Sequence, residues 1–582
     1  MAGIPGKCAT LAICAALAAS AATAAQVARG DTATRTATTW NQRQVAAVTL
    51  SSLSDATGAF AAGFSGIGEE NPEDVANAIF AWLFMVPSLD CADRSREATV
   101  CLLTPEYELD IPDRAAVLPL SPIGGAMRLR DSLKAAYGKI TGTNVLFCSE
   151  SVDSNRFADV CMVITRDTAF VANNREALKW IARHYRDKTV PSVAPVRSPS
   201  PVSLTFDGPL SGAIISQIVP QGVDLPGYLG LLSLFGDILQ SVTSLDVTLA
   251  PDIRSWRLAC RLNYEKNLLP RIVQAPIPRE SLMELFPPSS FCRSASTFPL
   301  LVSLLPSSMR TRYGGTSPVA SFCGFHLLPC IPEADDAIYA ALTGERASAY
   351  VIDPYENRLG KVEIFTVKNP EALDAAIGGG ISKAAKERNT IIAPRPVRES
   401  NGVKIQGYAI NVAANAEVDT TGDFVAKAIS LLLGLNTVET AIAGDKLVVA
   451  AGAPGFIETW ISKDMYKPQK RAIASLTTPF EKSPAGEVPL GGGEIQPSAT
   501  LLAAASKIAG LHSIEMMLPH SGNGCHWQMS RCDSGMVFEF SASNSEILAI
   551  KTLSRLDTKE LGQYIINVAM SGGESRKFRE EK

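Results

Sequence analysis

The sequence predicts an α+β fold in two similar halves, each of antiparallel β-meanders packed against helices. Three observations predict it. Short alternating runs, Ser244-Leu245-Asp246-Val247-Thr248-Leu249 and Met536-Val537-Phe538-Glu539-Phe540, adjoin tight turns, Ala250-Pro251-Asp252 and Asp533-Ser534-Gly535. Apolar residues at every second position give strands with one wet face, and short turns give antiparallel neighbours. Runs with one broad apolar helical face, Leu231 to Leu239, Phe424 to Leu433 and Leu501 to Ile508, precede strands of the same type.

The third observation is repetition. Pro72-Glu73 and Ala78-Ile79-Phe80-Ala81-x-Leu83 return as Pro332-Glu333 and Ala337-Ile338-Tyr339-Ala340-x-Leu342. Asp167-x-Ala169-Phe170-Val171-Ala172 returns as Asp445-x-Leu447-Val448-Val449-Ala450, and Ser244 to Leu249 returns as Ser513 to Leu518. Trp256 returns as Trp527. Four landmarks in one order, at offsets of 259, 278, 269 and 271 residues, describe a duplicated domain and not one large catalytic domain.

Taken from the N-terminus, residues 1–25 read as a secretory signal: Lys7, a small-residue apolar stretch from Cys8 to Ala21, and Ala22-Thr23-Ala24 as the cleavage site. The expected location is therefore exported, periplasmic or extracellular. Later runs fall short of the ~18 apolar residues that span a bilayer; Ala428 to Leu435 comes closest and follows Lys427. Without Lys7 the chain holds 53 basic and 58 acidic residues, a net charge of −5. That balance gives no electrostatic case for nucleic acid or an anionic membrane.

The first half divides into an N-terminal α+β subdomain (26–188), a Pro/Ser-rich linker (189–203) and a helix-plus-meander subdomain (204–315). The second divides into an α+β subdomain (316–477), a Pro/Gly-rich linker (478–498) and a helix-plus-meander subdomain (499–570), with a charged tail at 571–582. Strand-to-helix junctions share one chemistry: Asn173-Asn174-Arg175-Glu176-Ala177-Leu178, Asn369-Pro370-Glu371-Ala372-Leu373 and Asn544-Ser545-Glu546-Ile547-Leu548. Asn suits the N-cap, Pro the first turn, and Glu the positive end of the helix.

Ten cysteines follow the signal, and an even count in an exported chain predicts disulfides. The expected pairs are Cys148 with Cys161 across a hairpin, Cys323 with Cys330 in a small ring, and Cys91 with Cys101 around a polar loop. Cys525 and Cys532 lie on one strand, too far apart to bond.

Chemistry-bearing clusters are few. His512, His520, Cys525, His526 and Cys532 gather donor types that zinc uses. As strands, however, they set adjacent Cys525 and His526 on opposite faces, so surface histidines and a disulfide are expected there. Gly63-Phe64-Ser65-Gly66 lacks the spacing of a nucleophile elbow and sits in a helical stretch. Gly378-Gly379-Gly380-Ile381-Ser382-Lys383 lacks the phosphate-loop pattern, and its glycines are expected to end the helix before them. Asp246, Glu439 and Glu515 occupy equivalent strand starts, where an acid on the exposed side of a half-buried strand serves the fold. Trp256 and Trp527 are expected core anchors.

The tandem halves, the signal and the Asn-x-Glu-x-Leu junctions resemble large exported bacterial proteins with a duplicated domain of unknown function. The resemblance implies architecture and compartment and assigns no catalytic, cofactor or metal residue. The expected function is a non-catalytic envelope binding or structural protein, with another envelope protein or an apolar ligand as partner. Two alternatives stand beside it: a carrier of lipid or hydrophobic peptide, and a hydrolase or metalloenzyme with a site near His512-Cys532.

Overall fold

A computed structural model of the chain describes residues 43–104, 112–137, 139–149, 160–190, 200–218, 239–264, 280–287, 290–297, 340–352, 359–387, 391–411, 437–453, 455–463, 486–496, 524–533 and 535–554, with a few isolated positions. The signal, the charged tail, His512, His520, Glu515, Cys323, Cys330 and the helices expected at Phe424 to Leu433 and Leu501 to Ile508 lie outside them. Helices and extensive antiparallel sheet make the chain α+β. No described helix is long and apolar enough to cross a membrane.

The chain divides into two compact units. The first holds strands β1 (Gln44–Leu50), β2 (Ala98–Leu103), β3 (Asp113–Pro119), β4 (Lys139–Thr141), β5 (Leu146–Ser149), β6 (Val160–Ile164), β7 (Thr168–Ala172), β8 (Val202–Asp207), β9 (Val242–Pro251) and β10 (Ser255–Tyr264). They run in the order β4-β5-β6-β7-β3-β2-β1-β8-β9-β10, every pair antiparallel. Its helices are α1 (Leu53–Gly66), α2 (Pro72–Leu83), α3 (Gly125–Ala136), α4 (Arg175–Arg186) and α5 (Gly208–Ile218).

Period-2 alternation gives this sheet two apolar faces. On one, Ala47, Cys101, Ala115, Cys161 and Phe170 pack with Leu178 and Ile181 of α4. The junction into α4 has the expected chemistry: the Ala177 N–H donates to Asn174 Oδ1 at 2.8 Å, and Glu176 sits in the first turn. Trp256 of β10 meets Phe60 and Phe64 of α1 edge-on, at ring separations of 5.6 and 5.5 Å. Gly63 permits that approach, because a Cβ there would stand 2.9 Å from the Trp256 ring. Gly63 to Gly66 is therefore helix, with Ser65 exposed.

The second unit holds β11 (Phe291–Thr297), β12 (Leu342–Ile352), β13 (Leu359–Val367), β14 (Ile391–Pro394), β15 (Arg398–Ser400), β16 (Val403–Asn411), β17 (Thr437–Ala443), β18 (Lys446–Ala451), β19 (Val488–Ile495) and β20 (Cys525–Cys532). Both β14 and β15 pair with β16, and the order continues β16-β17-β18-β13-β12-β11-β19-β20, antiparallel throughout. One face packs Val362, Ile364 and Val448 against α7 (Phe456–Ser462) and a 3-10 turn at Glu280–Leu285. Trp460 of α7 is fully buried and donates from Nε1 to the Leu285 carbonyl at 2.9 Å. On the other face, Leu373 and Ile377 of α6 (Pro370–Glu387) pack on Phe365, Leu447 and Val449.

Three local expectations are corrected. Helix α6 runs through Gly378 to Gly380, so these glycines do not end it. Gly491 to Gly493 belong to strand β19, inside the segment read as the 478–498 linker. A Cβ on Gly493 would stand 2.5 Å from the Arg293 carbonyl oxygen, so close strand approach requires glycine there. Finally, none of the eight described cysteines is in a disulfide. In the β5–β6 hairpin Cys148 lies opposite Val160 and Cys161 opposite Phe147. That one-residue offset turns the two sulfurs to opposite faces of the sheet. Cys91 is likewise apart from Cys101: its Sγ contacts the Ser88 carbonyl, whereas Cys101 packs beneath α4.

Candidate functional site

Two constellations depart from what a folded core requires, one in each unit. In the second unit, strand β17 carries Glu439 into the α7 side of the sheet, opposite Gly407 of β16 and Ala450 of β18. Its side chain is 6% exposed. The glycine opposite it has a reason: the Arg395 stem lies over Gly407, where a Cβ would stand 3.3 Å from Arg395 Cβ. Arg398 of β15 then donates from one nitrogen, Nη2, to Glu439 Oε1 at 2.6 Å and Glu458 Oε1 at 3.0 Å. Two carboxyls thus share one guanidinium nitrogen, and the Oε2 of each is buried without a hydrogen-bond partner among the described residues.

Burial pushes the Glu439 carboxyl up from 4.5 to about 7; Arg398 opposes this, Glu458 adds to it, and Arg395 opposes it again. Desolvation therefore outweighs the ion pair. The group changes charge near neutrality, so it can hold or release a proton there.

A second charged group lies on the α6 side of the same sheet. Glu363 accepts from Arg346 at 2.5 Å and from Lys361 at 3.2 Å, and all three are less than one-tenth exposed. Its carboxylate is held by two buried cations of the same sheet, which makes it part of the structural core.

In the first unit, α2 buries Ala76, Phe80 and Ala81 and turns Trp82 outward. Trp82 is 59% exposed, yet it is not loose. The Arg114 guanidinium carbon lies 4.8 Å from its ring centroid, a cation–π contact of about 0.5–2 kcal/mol. Arg114 is anchored at its backbone: its N–H donates to Asn173 Oδ1 at 2.9 Å, and the Asn173 N–H returns to the Arg114 carbonyl at 3.1 Å. Its side chain is half-buried, and Nη1 is enclosed with no hydrogen-bond partner among the described residues. Desolvation lowers its pKa from the ordinary arginine value.

The residues singled out in the sequence do not gather. Asp246 is half-buried and satisfied, accepting from Thr205 Oγ1 at 2.7 Å and Asn263 Nδ2 at 2.8 Å. It belongs to the first unit and Glu439 to the second. Glu439 itself corrects the expectation of an exposed-side acid. On β20, Cys525 is buried and adjacent His526 exposed, as strand alternation dictates. Among the described residues no group of three or more metal-ligating side chains converges. Burial pushes the thiols of Cys91 and Cys148 up to about 11 and those of Cys101 and Cys525 to about 12, away from the nucleophilic thiolate. Trp256 is a core anchor, while half-buried Trp527 stacks on Phe538 at 6.4 Å.

Sequence reasoning missed Trp82 and Arg114. They lie on different elements, 32 positions apart in the chain. The one local signal was Trp82 itself, a tryptophan on the outward side of α2 opposite the buried Ala76 and Phe80.

No family model and no curated protein matches this chain. Among solved structures, crystal form I of TP0453 aligns at a TM-score of 0.22 and 8% identity, covering 41% of this chain and 85% of that one. Crystal form IV aligns at 0.23 and 12%, with the same coverage. Scores at this level carry no argument about fold or function.

Proposed function

We propose that this chain is an exported envelope protein that acts by binding, without catalysis, and that Trp82 over Arg114 marks its recognition surface. The observation behind the proposal is a large aromatic ring that is mostly exposed yet held in place. A rigid, exposed tryptophan leaves apolar area in water. Such side chains are characteristic anchors of interfaces, where they bury much area at little cost in conformational freedom. Export rests on the A-x-A signal. The duplicated architecture, with its halves at 26–315 and 316–570, is supported by one correspondence in the fold. The repeated Asp167-to-Ala172 and Asp445-to-Ala450 runs each supply the second strand of an antiparallel hairpin, β6–β7 and β17–β18, and a helix follows each.

The test is native mass spectrometry, with elemental analysis, of the protein from its own exported fraction. A partner subunit or apolar ligand that accompanies the wild type and is lost in Trp82→Ala is expected. A bare mass for both proteins refutes the binding surface. Stoichiometric zinc abolished by His526→Ala would replace it with the metalloenzyme alternative.

A further inference from the structure

We propose that Arg114 and Trp82 together form a receptor for an anionic group, a carboxylate above all, joined to a planar apolar body. The inference rests on the binding surface proposed above and names its ligand class. Three observations carry it.

The first is charge. Among the described residues Arg114 has no carboxylate partner, and its neighbour across the contact is a neutral indole. A half-buried guanidinium that is desolvated, with no acid paired to it among the described residues, is unusual: folded proteins pair such charges. An arriving carboxylate supplies the guanidinium with a charge-assisted partner.

The second is rigidity. Strand β3 and the double hydrogen bond to Asn173 hold the Arg114 backbone, and Trp82 covers the guanidinium. The nitrogen Nη1 is enclosed, and Arg114 as a whole is half-buried. Few rotamers are lost when a ligand binds, which lowers the cost of association.

The third is the adjoining surface. Trp82 is 59% exposed while Arg114 occupies one side of it, so the remaining indole surface is available for stacking. A planar body laid there would gain about 1–3 kcal/mol by stacking. Neither half suffices alone: the stack takes any planar solute, and the guanidinium selects the anionic one.

The test uses three naphthalene probes of nearly equal shape: 2-naphthoate, the neutral 2-naphthamide and the cationic 2-naphthylmethylammonium. Binding to the full chain is measured by calorimetry and by the indole N–H resonance of Trp82, assigned by its loss in Trp82→Ala. The expected result is 2-naphthoate binding about tenfold or more tighter than 2-naphthamide, the gain of one charge-assisted contact. The cationic probe should not bind, Arg114→Gln should erase the preference, and Trp82→Ala should abolish binding. Equal, Trp82-dependent binding of 2-naphthoate and 2-naphthamide would overturn the anion receptor while leaving a recognition surface. Probes that never perturb the Trp82 resonance would overturn both. Should Arg114→Gln fail to fold, the ranking of the probes on the wild type decides the question, because it needs no variant.

Discussion

Replacing Glu439 with Gln isolates the effect of a buried, proton-holding acid on the stability of the second unit. The carboxyl ionises at about 7 when folded against an ordinary 4.5, so between those values the folded state binds the extra proton. Stability from this group is complete below about pH 4.5 and is lost as pH rises through about 7. The gap corresponds to about 3 kcal/mol. Half-exposed Arg398 admits solvent screening beside the site, which reduces the working figure to about 2 kcal/mol. Hydrogen exchange of the β16 and β17 amides at pH 5 and pH 8, corrected for intrinsic rates, reads the local free energy directly. The wild type should lose about 2 kcal/mol more than Glu439→Gln over that interval, and the variant should be the more stable at pH 8. An identical pH dependence in both proteins would refute the placement of Glu439 as a desolvated acid.

Three further perturbations test packing in the second unit. Glu363→Ala removes the carboxylate shared by buried Arg346 and Lys361 and should cost about 3–5 kcal/mol in urea unfolding; an unshifted midpoint would show that the three side chains are not buried together. Gly493→Ala forces a methyl against the Arg293 carbonyl and Ser294 and should cost about 1–3 kcal/mol. Gly378→Ala in α6 meets nothing within 4 Å and should stabilise by about 0.5–1 kcal/mol. The same thermal melts report both, and a reversed order would contradict the assignment of one glycine to a sheet and the other to a helix.

What was legible in the sequence is what local periodicity encodes. The β9–β10 meander follows from alternation and a Pro-Asp turn, and its register places Leu249 beside Leu258. The Asn174 cap follows from side-chain reach alone. Depth was not legible. Glu439 sits in Thr437-Val438-Glu439-Thr440, an ordinary half-buried pattern, and its surroundings come from Arg395, Arg398 and Glu458, remote in the chain. Glycines misled in both directions. Gly491 to Gly493 look like linker because a strand paired on both sides by close neighbours needs the same residue a flexible loop does. Gly378 to Gly380 look like a stop because helix propensity alone disfavours them. The Cys148–Cys161 expectation failed on register, where one residue of offset reverses the facing of a side chain.

Strand β19 has a consequence for how the second unit comes into being. It lies between β11 and β20, pairing Ser294 with Gly493, residues about 200 positions apart. A ribosome adding roughly 5–20 residues per second needs about 10–40 s to deliver the second after the first. Throughout that interval the edge of β11 that receives β19 is an unfilled backbone template, the kind of surface that captures strands from other chains. Three consecutive glycines make β19 a poor strand former by itself, so it depends on two partners already in place. Newly made copies are therefore most vulnerable to mispairing before Val488–Ile495 is threaded home. A chaperone acting on this protein has its clearest task in shielding Phe291–Thr297 until then.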